Sequence, residues 1–240
     1  MKKFSACLLA TTLLLCGAQA QAQETSGPGA GSGDIYLSVF VGDNLGRGQV
    51  FSGATVGGAP RDIRTPTKDG VIGGAAIGVI VAETSYGRFR AEAELSGSKN
   101  DITDLVLNGV PRDLVRGRKS VTAGMLNVAY DTPRFFDRLR FTAGVGFGLA
   151  AIDYDVQYNV AAAGPAISIS TNESGRLAYQ AIGGASVRLT DRIELTGDVR
   201  YFKVGSHQVE RFNLTTGTLD SVLGTTYRST RLTAGVRYIF

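Results

Sequence analysis

The sequence contains no tryptophan, one histidine and two cysteines among its 240 residues. A single histidine excludes most zinc sites and leaves any His-based catalytic triad dependent on one position. Two cysteines exclude a disulfide scaffold. Charged residues make up 19% of the chain and hydrophobic residues 43%, a balance that excludes a disordered chain. A net charge of +4 is not by itself typical of a nucleic-acid-binding protein, and we expect no nucleic-acid partner. The leading classes are a soluble all-β domain and a membrane β-barrel.

Residues 1–20 have the pattern of a secretory signal peptide. Lys2 and Lys3 form a short basic region, residues 4–17 are mostly apolar, and Ala18-Gln19-Ala20 supplies a small-x-small cleavage pattern. The apolar stretch is too short to span a membrane. Cleavage after residue 20 is therefore expected, although Ala20-Gln21-Ala22 offers a second register for it.

Both cysteines, Cys7 and Cys16, lie inside this segment, so the mature chain is predicted to have no thiol. A lipoprotein signal is the alternative, because Cys16 follows three leucines. Such signals place a small residue before the cysteine, and Leu15 is not small. Residues 21–33 lack periodicity and are rich in Gly, Ala, Gln and Ser, which predicts a flexible leader before a domain at 34–240.

After the leader the sequence alternates with period two, which predicts β-strands. The final segment is the clearest example, with Val236, Tyr238 and Phe240 on one face and Arg237 on the other. The segments with a plain alternation are 89–96, 139–151, 177–189, 193–203 and 231–240, and those with a weaker one are 35–42, 71–81 and 120–130. The 120–130 segment changes phase midway, which predicts a bulge near Gly124.

Long and short connections alternate along the chain. The short ones lie at 84–87, 132–137 and 190–192, and the long ones at about 43–70, 97–117, 153–176 and 204–230. An up-and-down meander with all its long loops at one end gives this order, and each strand has roughly the ten residues that cross a bilayer at a tilt. We therefore predict an all-β fold, an eight-stranded antiparallel up-and-down transmembrane β-barrel.

A soluble β-sandwich or lipocalin-like barrel is the alternative, since periodicity does not tell which face is inside. Two features favour the membrane barrel. One face carries charges of both signs in nearly every strand, which suits a lumen filled by ion pairs. The apolar face carries aromatic residues near strand ends, where aromatic girdles lie. These aromatic residues are Tyr130, Phe141, Tyr179, Tyr201, Tyr238 and Phe240.

The leader, the alternating strands and the terminal Tyr238-Ile239-Phe240 resemble the small outer-membrane β-barrels of the opacity-protein and outer-membrane-protein-A-like superfamily. The resemblance covers about residues 34–240. It implies a protein of the cell outer membrane that the barrel-assembly machinery inserts by recognising a terminal aromatic residue with apolar residues at alternate positions before it. Val236, Tyr238 and Phe240 match that assembly signal.

In a membrane barrel the charged face lines the lumen. A charge in a water-poor lumen needs a partner, so these residues are predicted to form a paired network. The predicted members are Arg90, Glu92, Glu94, Arg188, Asp198, Arg200, Arg231 and Arg237. Inward glycines such as Gly74, Gly78 and Gly146 make room for them. General acid–base catalysis by Glu92 and Glu94 is the functional alternative.

A second basic group is predicted at the outer rim of the barrel, in contact with lipopolysaccharide phosphates that suit arginine geometry. Its members are Arg116, Arg118, Lys119, Lys203 and Arg228. Solvated loop charge is the alternative. His207 follows Ser206 and precedes Glu210, but adjacent residues on an extended chain point to opposite faces. We therefore expect a solvated loop histidine and no catalytic residue, metal site or cofactor.

The sequence thus predicts a structural or surface-interaction barrel, adhesin- or antigen-like, that is not an enzyme and presents four extracellular loops to an extracellular ligand. Outer-membrane lipid, lipopolysaccharide and the assembly machinery are the other expected partners. A narrow porin-like channel for small solutes is the second hypothesis. A lipid A-modifying enzyme is the third.

Overall fold

The computed structural model describes residues 33–160, 166–171 and 175–240. The predicted signal peptide and all but the last residue of the predicted leader lie outside the described residues. No helix in the described part is long and apolar enough to cross a membrane. The strands are β1 (Ile35–Leu45), β2 (Gln49–Thr55), β3 (Pro60–Thr65), β4 (Gly70–Thr84), β5 (Gly87–Asp101), β6 (Leu105–Leu107), β7 (Val110–Arg112), β8 (Leu114–Asp131), β9 (Leu139–Asn159), β10 (Ala166–Ser170), β11 (Arg176–Arg188), β12 (Ile193–Asn213) and β13 (Leu219–Ile239).

Eight long strands form a closed ring, in the order β1, β4, β5, β8, β9, β11, β12 and β13. Every neighbouring pair is antiparallel, and β13 pairs with β1 from Thr230 opposite Leu45 to Ile239 opposite Tyr36. Closure leaves these strands no unpaired edge along the shared length. The eight-stranded antiparallel barrel predicted from the sequence is confirmed.

The two ends of the barrel differ in construction. At one end, called the turn end, β4–β5, β8–β9 and β11–β12 are joined by short connections. At the opposite end, called the extended end, β8, β9, β12 and β13 continue beyond the other ring strands. There β10 pairs with both β9 and β12, in the position that β11 occupies nearer the turn end. β2 pairs with β13, and β3, β6 and β7 follow it in the sheet order.

Much of the sequence predicted as long loops is therefore strand. β9 continues to Asn159, and only residues 214–218 separate β12 from β13. The predicted connection at 43–70 contains the β2–β3 hairpin, and the one at 97–117 contains the β6–β7 hairpin. The extended end is a strand-built structure, which corrects the prediction of four long loops.

The outward face of the wall changes polarity along each long strand. On β9, the outward side chains of Val145, Phe147 and Leu149 are 65%, 64% and 53% exposed, whereas Asp153 and Asp155 hold the outward positions toward the extended end. A hydrocarbon surrounding favours so many exposed apolar groups on a closed ring of strands. We call the outward apolar band of the ring strands the apolar belt. Its members include Leu37, Val39, Val41, Ile77, Val81, Leu95, Leu126, Val128, Val145, Phe147, Leu149, Leu195, Val199, Leu232 and Val236.

The inward face changes in the opposite sense. Near the turn end β9 presents Arg140 and Thr142 to the interior, and near the extended end it presents Tyr154, Val156 and Tyr158. These last three belong to one buried apolar cluster that fills the extended end. The extended end thus has an apolar core like that of a soluble protein, because its outer surface lies beyond the apolar belt and faces water.

The same reversal explains the phase change predicted as a bulge near Gly124. β8 pairs without interruption with β5 from Arg118 to Asp131, and its only register shift lies between Leu114 and Arg116. Val121 points inward into the apolar cluster, whereas Val128, in the belt, points outward. The apolar residues change face while the backbone stays regular, so the predicted bulge is wrong.

The predicted assembly signal lies at the turn end of β13. Val236 and Tyr238 point outward, and the Phe240 ring packs edge-on against Tyr238 with their centroids 5.1 Å apart. The Phe240 N–H donates to the carbonyl oxygen of Ile35 at 3.0 Å, which secures the chain to β1. Recognition of these residues by the assembly machinery stays a prediction.

Candidate functional site

At the turn end, buried ion pairs fill the lumen. Arg88 Nε lies 2.5 Å from Asp131 Oδ2, and Arg88 Nη2 lies 2.7 Å from Glu194 Oε2. Arg237 reaches the same Glu194 oxygen at 2.8 Å, and Arg90 Nε contacts Asp131 Oδ2 at 2.8 Å. All five side chains are nearly inaccessible to solvent. Each carboxylate is shared by two guanidinium groups, so the layer is a continuous network.

Tyr36 of β1 and Glu92 of β5 extend this layer to the β1 side of the ring. Tyr36 donates its hydroxyl to Glu92 Oε1 at 2.7 Å and accepts from Arg90 at 2.9 Å, while Arg90 and Glu92 are ion-paired. The Tyr36 ring lies over Gly78 of β4. A Cβ at Gly78 would collide with that ring, which gives the glycine a packing reason.

A second layer of buried polar residues lies next to the first, on the side of the extended end. Arg200 Nη1 contacts Glu94 Oε2 at 2.6 Å, and its Nη2 contacts Asp198 Oδ2 at 3.1 Å. Asn127 donates to Glu94 at 3.0 Å, and Gln180 donates to Asn127 Oδ1 at 2.8 Å. Neutral amides therefore connect the Glu94 carboxylate to the opposite wall.

The space left among these residues is small. A cavity of about 20 Å³ lies between the layers, with Ser38, Thr142 and Thr196 among its lining residues. That volume accommodates about one water molecule. Side chains pack the interior at this level.

The structure places most of the predicted network residues in these two layers. They are Arg90, Glu92, Glu94, Asp198, Arg200 and Arg237. Arg188 is an exception, since it lies at the β11–β12 turn, 3.5 Å from the exposed Asp191. Arg231 is buried directly opposite Arg200 on the β12–β13 ladder, and its guanidinium lies 3.6 Å from the Phe202 ring centroid. Within the described part of the chain, Arg231 has no carboxylate within 4 Å.

Sequence reasoning missed three central members, Arg88, Asp131 and Glu194. Arg88 and Asp131 lie one residue beyond the predicted strand limits, beside the turns. Glu194 lies within a predicted strand, on the same face as Asp198 and Arg200. That shared face was the signal that could have identified Glu194 as a member of the network.

An apolar cap closes the lumen at the extended end. Phe51 and Ile63 from the β2–β3 hairpin and Leu105 from β6 are fully buried. They belong to the same cluster as Tyr154 and Phe202 of the wall. The two hairpins therefore fold over the barrel end and contribute side chains to its core.

His207 is buried in this region, with 2% of its surface exposed, so the predicted solvated loop histidine is wrong. Its Nε2 lies 3.2 Å from the Tyr154 hydroxyl, and its Nδ1 lies 3.2 Å from the carbonyl oxygen of Gly205. Ser206 faces outward and is exposed. A shift in register at Val204–His207 gives His207 its inward position. Among the described residues, no group of three or more His, Cys, Asp or Glu could hold a metal ion.

Lys119 also points inward, which corrects its assignment to the outer rim. Only 3% of its surface is exposed, although it lies beyond the apolar belt. Its Nζ lies 4.8 Å from the Tyr227 ring centroid and 3.5 Å from Gln49 Oε1. Burial lowers the pKa of the Lys119 ammonium to about 8. The missed signal is again the reversal of faces, since Lys119 shares the inward parity of Val121.

The other predicted rim cations point outward. Arg116 lies 3.4 Å from Asp155, and Arg118 lies 3.8 Å from Asp101, all with largely exposed side chains. Lys203 lies over the Tyr179 ring at 5.4 Å, directly opposite Arg228 across the β12–β13 ladder. The described residues give neither Lys203 nor Arg228 a carboxylate partner.

This geometry agrees with the comparisons with known proteins. The sequence matches the family model described as outer membrane protein beta-barrel domain over residues 8–240. The chain belongs to this outer-membrane β-barrel family. Its location in the outer membrane, predicted from the sequence, is confirmed. In such barrels the short turns face the periplasm, so the extended end faces the cell exterior.

Two solved structures with TM-scores of 0.60 and 0.50 show the same fold. The outer membrane protein OprG from Pseudomonas aeruginosa has 9% identity and a TM-score of 0.60, with 89% of this chain and 98% of that chain covered. The outer membrane protein AlkL has 16% identity and a TM-score of 0.50, covering 92% and 96%. Neisserial surface protein A has 12% identity and a TM-score of 0.47, covering 86% and 97%. A comparison with curated proteins finds no match.

The ion-pair layers predict a specific order of stabilities. Glu94→Ala removes the main partner of buried Arg200, so we expect the free energy of unfolding to fall by about 3 kcal/mol. Arg200→Ala should cost a similar amount. Leu195→Ala, in the apolar belt, should cost less than either, because it strands no charge. Reversible urea unfolding in lipid vesicles measures all three. A larger loss for Leu195→Ala would contradict the arrangement of faces described above.

Proposed function

We propose that this outer-membrane barrel is a structural and surface-interaction protein that is closed to solutes. The packing of its interior along its whole length carries the proposal. Two layers of ion pairs occupy the lumen at the level of the apolar belt, and an apolar core occupies the extended end. An eight-stranded barrel leaves an interior that side chains alone can fill.

The inward glycines support a closed lumen and not a pore. Gly146 of β9 faces Asn127, and a Cβ there would collide with Asn127 Oδ1. Gly184 of β11 stands in the same relation to Asp198. The space that each glycine vacates is thus taken by a polar side chain of the network.

The interaction surface in this proposal is the outward face of the extended end with its hairpins. The β2–β3 turn exposes Val56, and the β6–β7 turn is formed by Asn108 and Gly109, both with positive φ angles. Backbone ladders and the buried cluster hold these turns in place. A surface that is ordered before binding loses little conformational freedom when a ligand is bound. This suits an adhesin- or antigen-like role.

An enzymatic role has no comparable support. Glu92 and Glu94 are both engaged in ion pairs, and the cavity that Glu92 lines inside the lumen has a volume of only about 20 Å³. His207 contacts the Tyr154 hydroxyl, whereas the neighbouring Ser206 side chain points away. We therefore propose a role without catalysis.

Conductance tests the closed barrel. The purified protein in a planar bilayer should show no stable open-channel current, because the ion-pair layers and the apolar cap exclude a water column. Arg200→Ala, which opens one layer but leaves the cap, should also stay silent. Reproducible currents from the wild type that change in the Arg200 variant would overturn the proposal and favour the channel hypothesis.

We further propose that the outward rim cations contact lipopolysaccharide phosphates. Lys203 and Arg228 support this, because they lie side by side without a carboxylate partner. Lys203 is directly opposite Tyr179 and two residues beyond Tyr201. Arg116 and Arg118 add positive charge on β8, and their ion pairs with Asp155 and Asp101 partly neutralise it. Anionic headgroups at this level would complete the pairing.

A single substitution tests this contact. Lys203→Gln should weaken binding of lipopolysaccharide to the purified barrel about fivefold, the effect of removing one surface cation. Arg64→Gln, an exposed arginine on the β3 hairpin strand, is the matched control and should bind as the wild type does. Equal affinities for all three proteins, measured by titration with fluorescent lipopolysaccharide, would contradict the contact.

A further inference from the structure

The barrel wall has a gap beside β13. β1 ends at Leu45 opposite Thr230, and β2 takes up pairing with the same strand only at Ser52 opposite Gly224. Between these points, residues 46–51 run past residues 225–229 without a backbone ladder. A cavity of about 360 Å³ occupies the gap. It lies just beyond the apolar belt, at the level where Arg228 faces Lys203.

The cavity is lined by positive charge. Arg47 and Arg228 are exposed at its mouth, Lys119 forms its inner end, and Gln49 and Tyr227 supply polar groups. None of its lining residues is a carboxylate. Three cations around one concave space, with hydrogen-bond donors among them, form a site with a strong preference for an anion.

Lys119 is the most informative of these residues. It is a buried cation, and the described residues place no carboxylate within 4 Å of its Nζ. A hydrogen-bonded chain holds it, because Gln49 accepts from Lys119 and donates to Tyr154, whose hydroxyl contacts His207. A buried cation without a carboxylate destabilises the fold unless an anion pairs with it. The packed chain fixes the position of that charge facing the cavity.

We propose that this cavity binds a phosphoryl group, with Lys119 as the inner cation and the guanidinium groups of Arg47 and Arg228 at the mouth. Guanidinium groups match phosphate oxygens in pairs, while an ammonium supplies a compact point charge. The volume lies in the range of small-ligand sites and suits a phosphorylated sugar. The site does not depend on whether the lumen conducts. It shares Arg228 with the proposed lipopolysaccharide contact, whereas Lys203 does not line the cavity.

A phosphoryl group could come from two sources, a lipid headgroup in the outer leaflet or a soluble phosphate ester outside the cell. Calorimetry on the purified barrel in zwitterionic detergent uses glucose 1-phosphate as the soluble probe and glucose as its neutral counterpart. Nanodiscs containing diphosphoryl lipid A, or lipid A with both phosphates removed, supply the lipid arm. Loss of glucose 1-phosphate binding only in the phosphorylated nanodiscs identifies the lipid as the occupant. Binding in both kinds of nanodisc identifies a soluble ester.

Three variants test the residues. Lys119→Met and Arg228→Gln should each weaken glucose 1-phosphate binding about tenfold or more, and Arg64→Gln, which removes one exposed charge outside the cavity, should not. Lys119→Met should also melt no lower than the wild type, because an apolar side chain of similar length replaces a desolvated cation. A merely structural lysine would give the opposite result, with lower stability and unchanged binding.

The proposal is overturned if neither glucose 1-phosphate nor diphosphoryl lipid A binds the wild type. It is also overturned if Lys119→Met and Arg228→Gln bind these probes as the wild type does. Should Lys119→Met fail to fold, Arg228→Gln, an outward and exposed position, decides the question on its own.

Discussion

A charge inside an eight-stranded barrel has almost no water to solvate it, so it must find its partners on the surrounding strands. This requirement explains why carboxylates in the lumen are shared. Asp131 contacts both Arg88 and Arg90, and Glu194 contacts both Arg88 and Arg237. Arg88 of β5 reaches Glu194 of β12, four strands away in the ring, so the network joins opposite walls. The same network occupies the lumen at the level of the apolar belt, which is the observation that supports the proposal of a closed barrel.

The second constraint is the change of surroundings along the barrel axis. Within the apolar belt the outward residues must be apolar and the inward ones polar, whereas beyond the belt both assignments reverse. β9 makes the reversal in one uninterrupted strand, from outward Phe147 and inward Arg140 to outward Asp155 and inward Tyr158. The extended end is consequently built like a small soluble domain set on a membrane barrel. It can carry rigid hairpins, a buried histidine and a cavity lined by cations.

This reversal decides how much could be predicted from the sequence. Within the belt the period-two pattern identified the eight strands and the inward face, including Glu94 and Arg200. Beyond the belt the apolar residues change parity, so the regular continuations of β8 and β9 had the pattern of a bulge and a loop. Lys119 was misplaced for that reason. His207 was misplaced because β12 continues past Val204 through a register shift that the alternating pattern does not reveal. The pairing of β2 with β13 and of β10 with two wall strands depends on long-range packing that no local pattern encodes.

The central claim is that the polarity of the wall reverses, while ion pairs fill the interior within the belt and apolar side chains fill it beyond the belt. Single-cysteine scanning of β9, read with a membrane-impermeant maleimide on the folded barrel in vesicles, tests it most directly. We predict that outward positions within the belt, up to Leu149, stay unlabelled and that outward positions from Asp153 onward react rapidly. Inward positions from Thr142 to Tyr158 should stay unlabelled throughout. Labelling of the inward positions as fast as that of Asp153 would show a water-filled lumen and contradict the account.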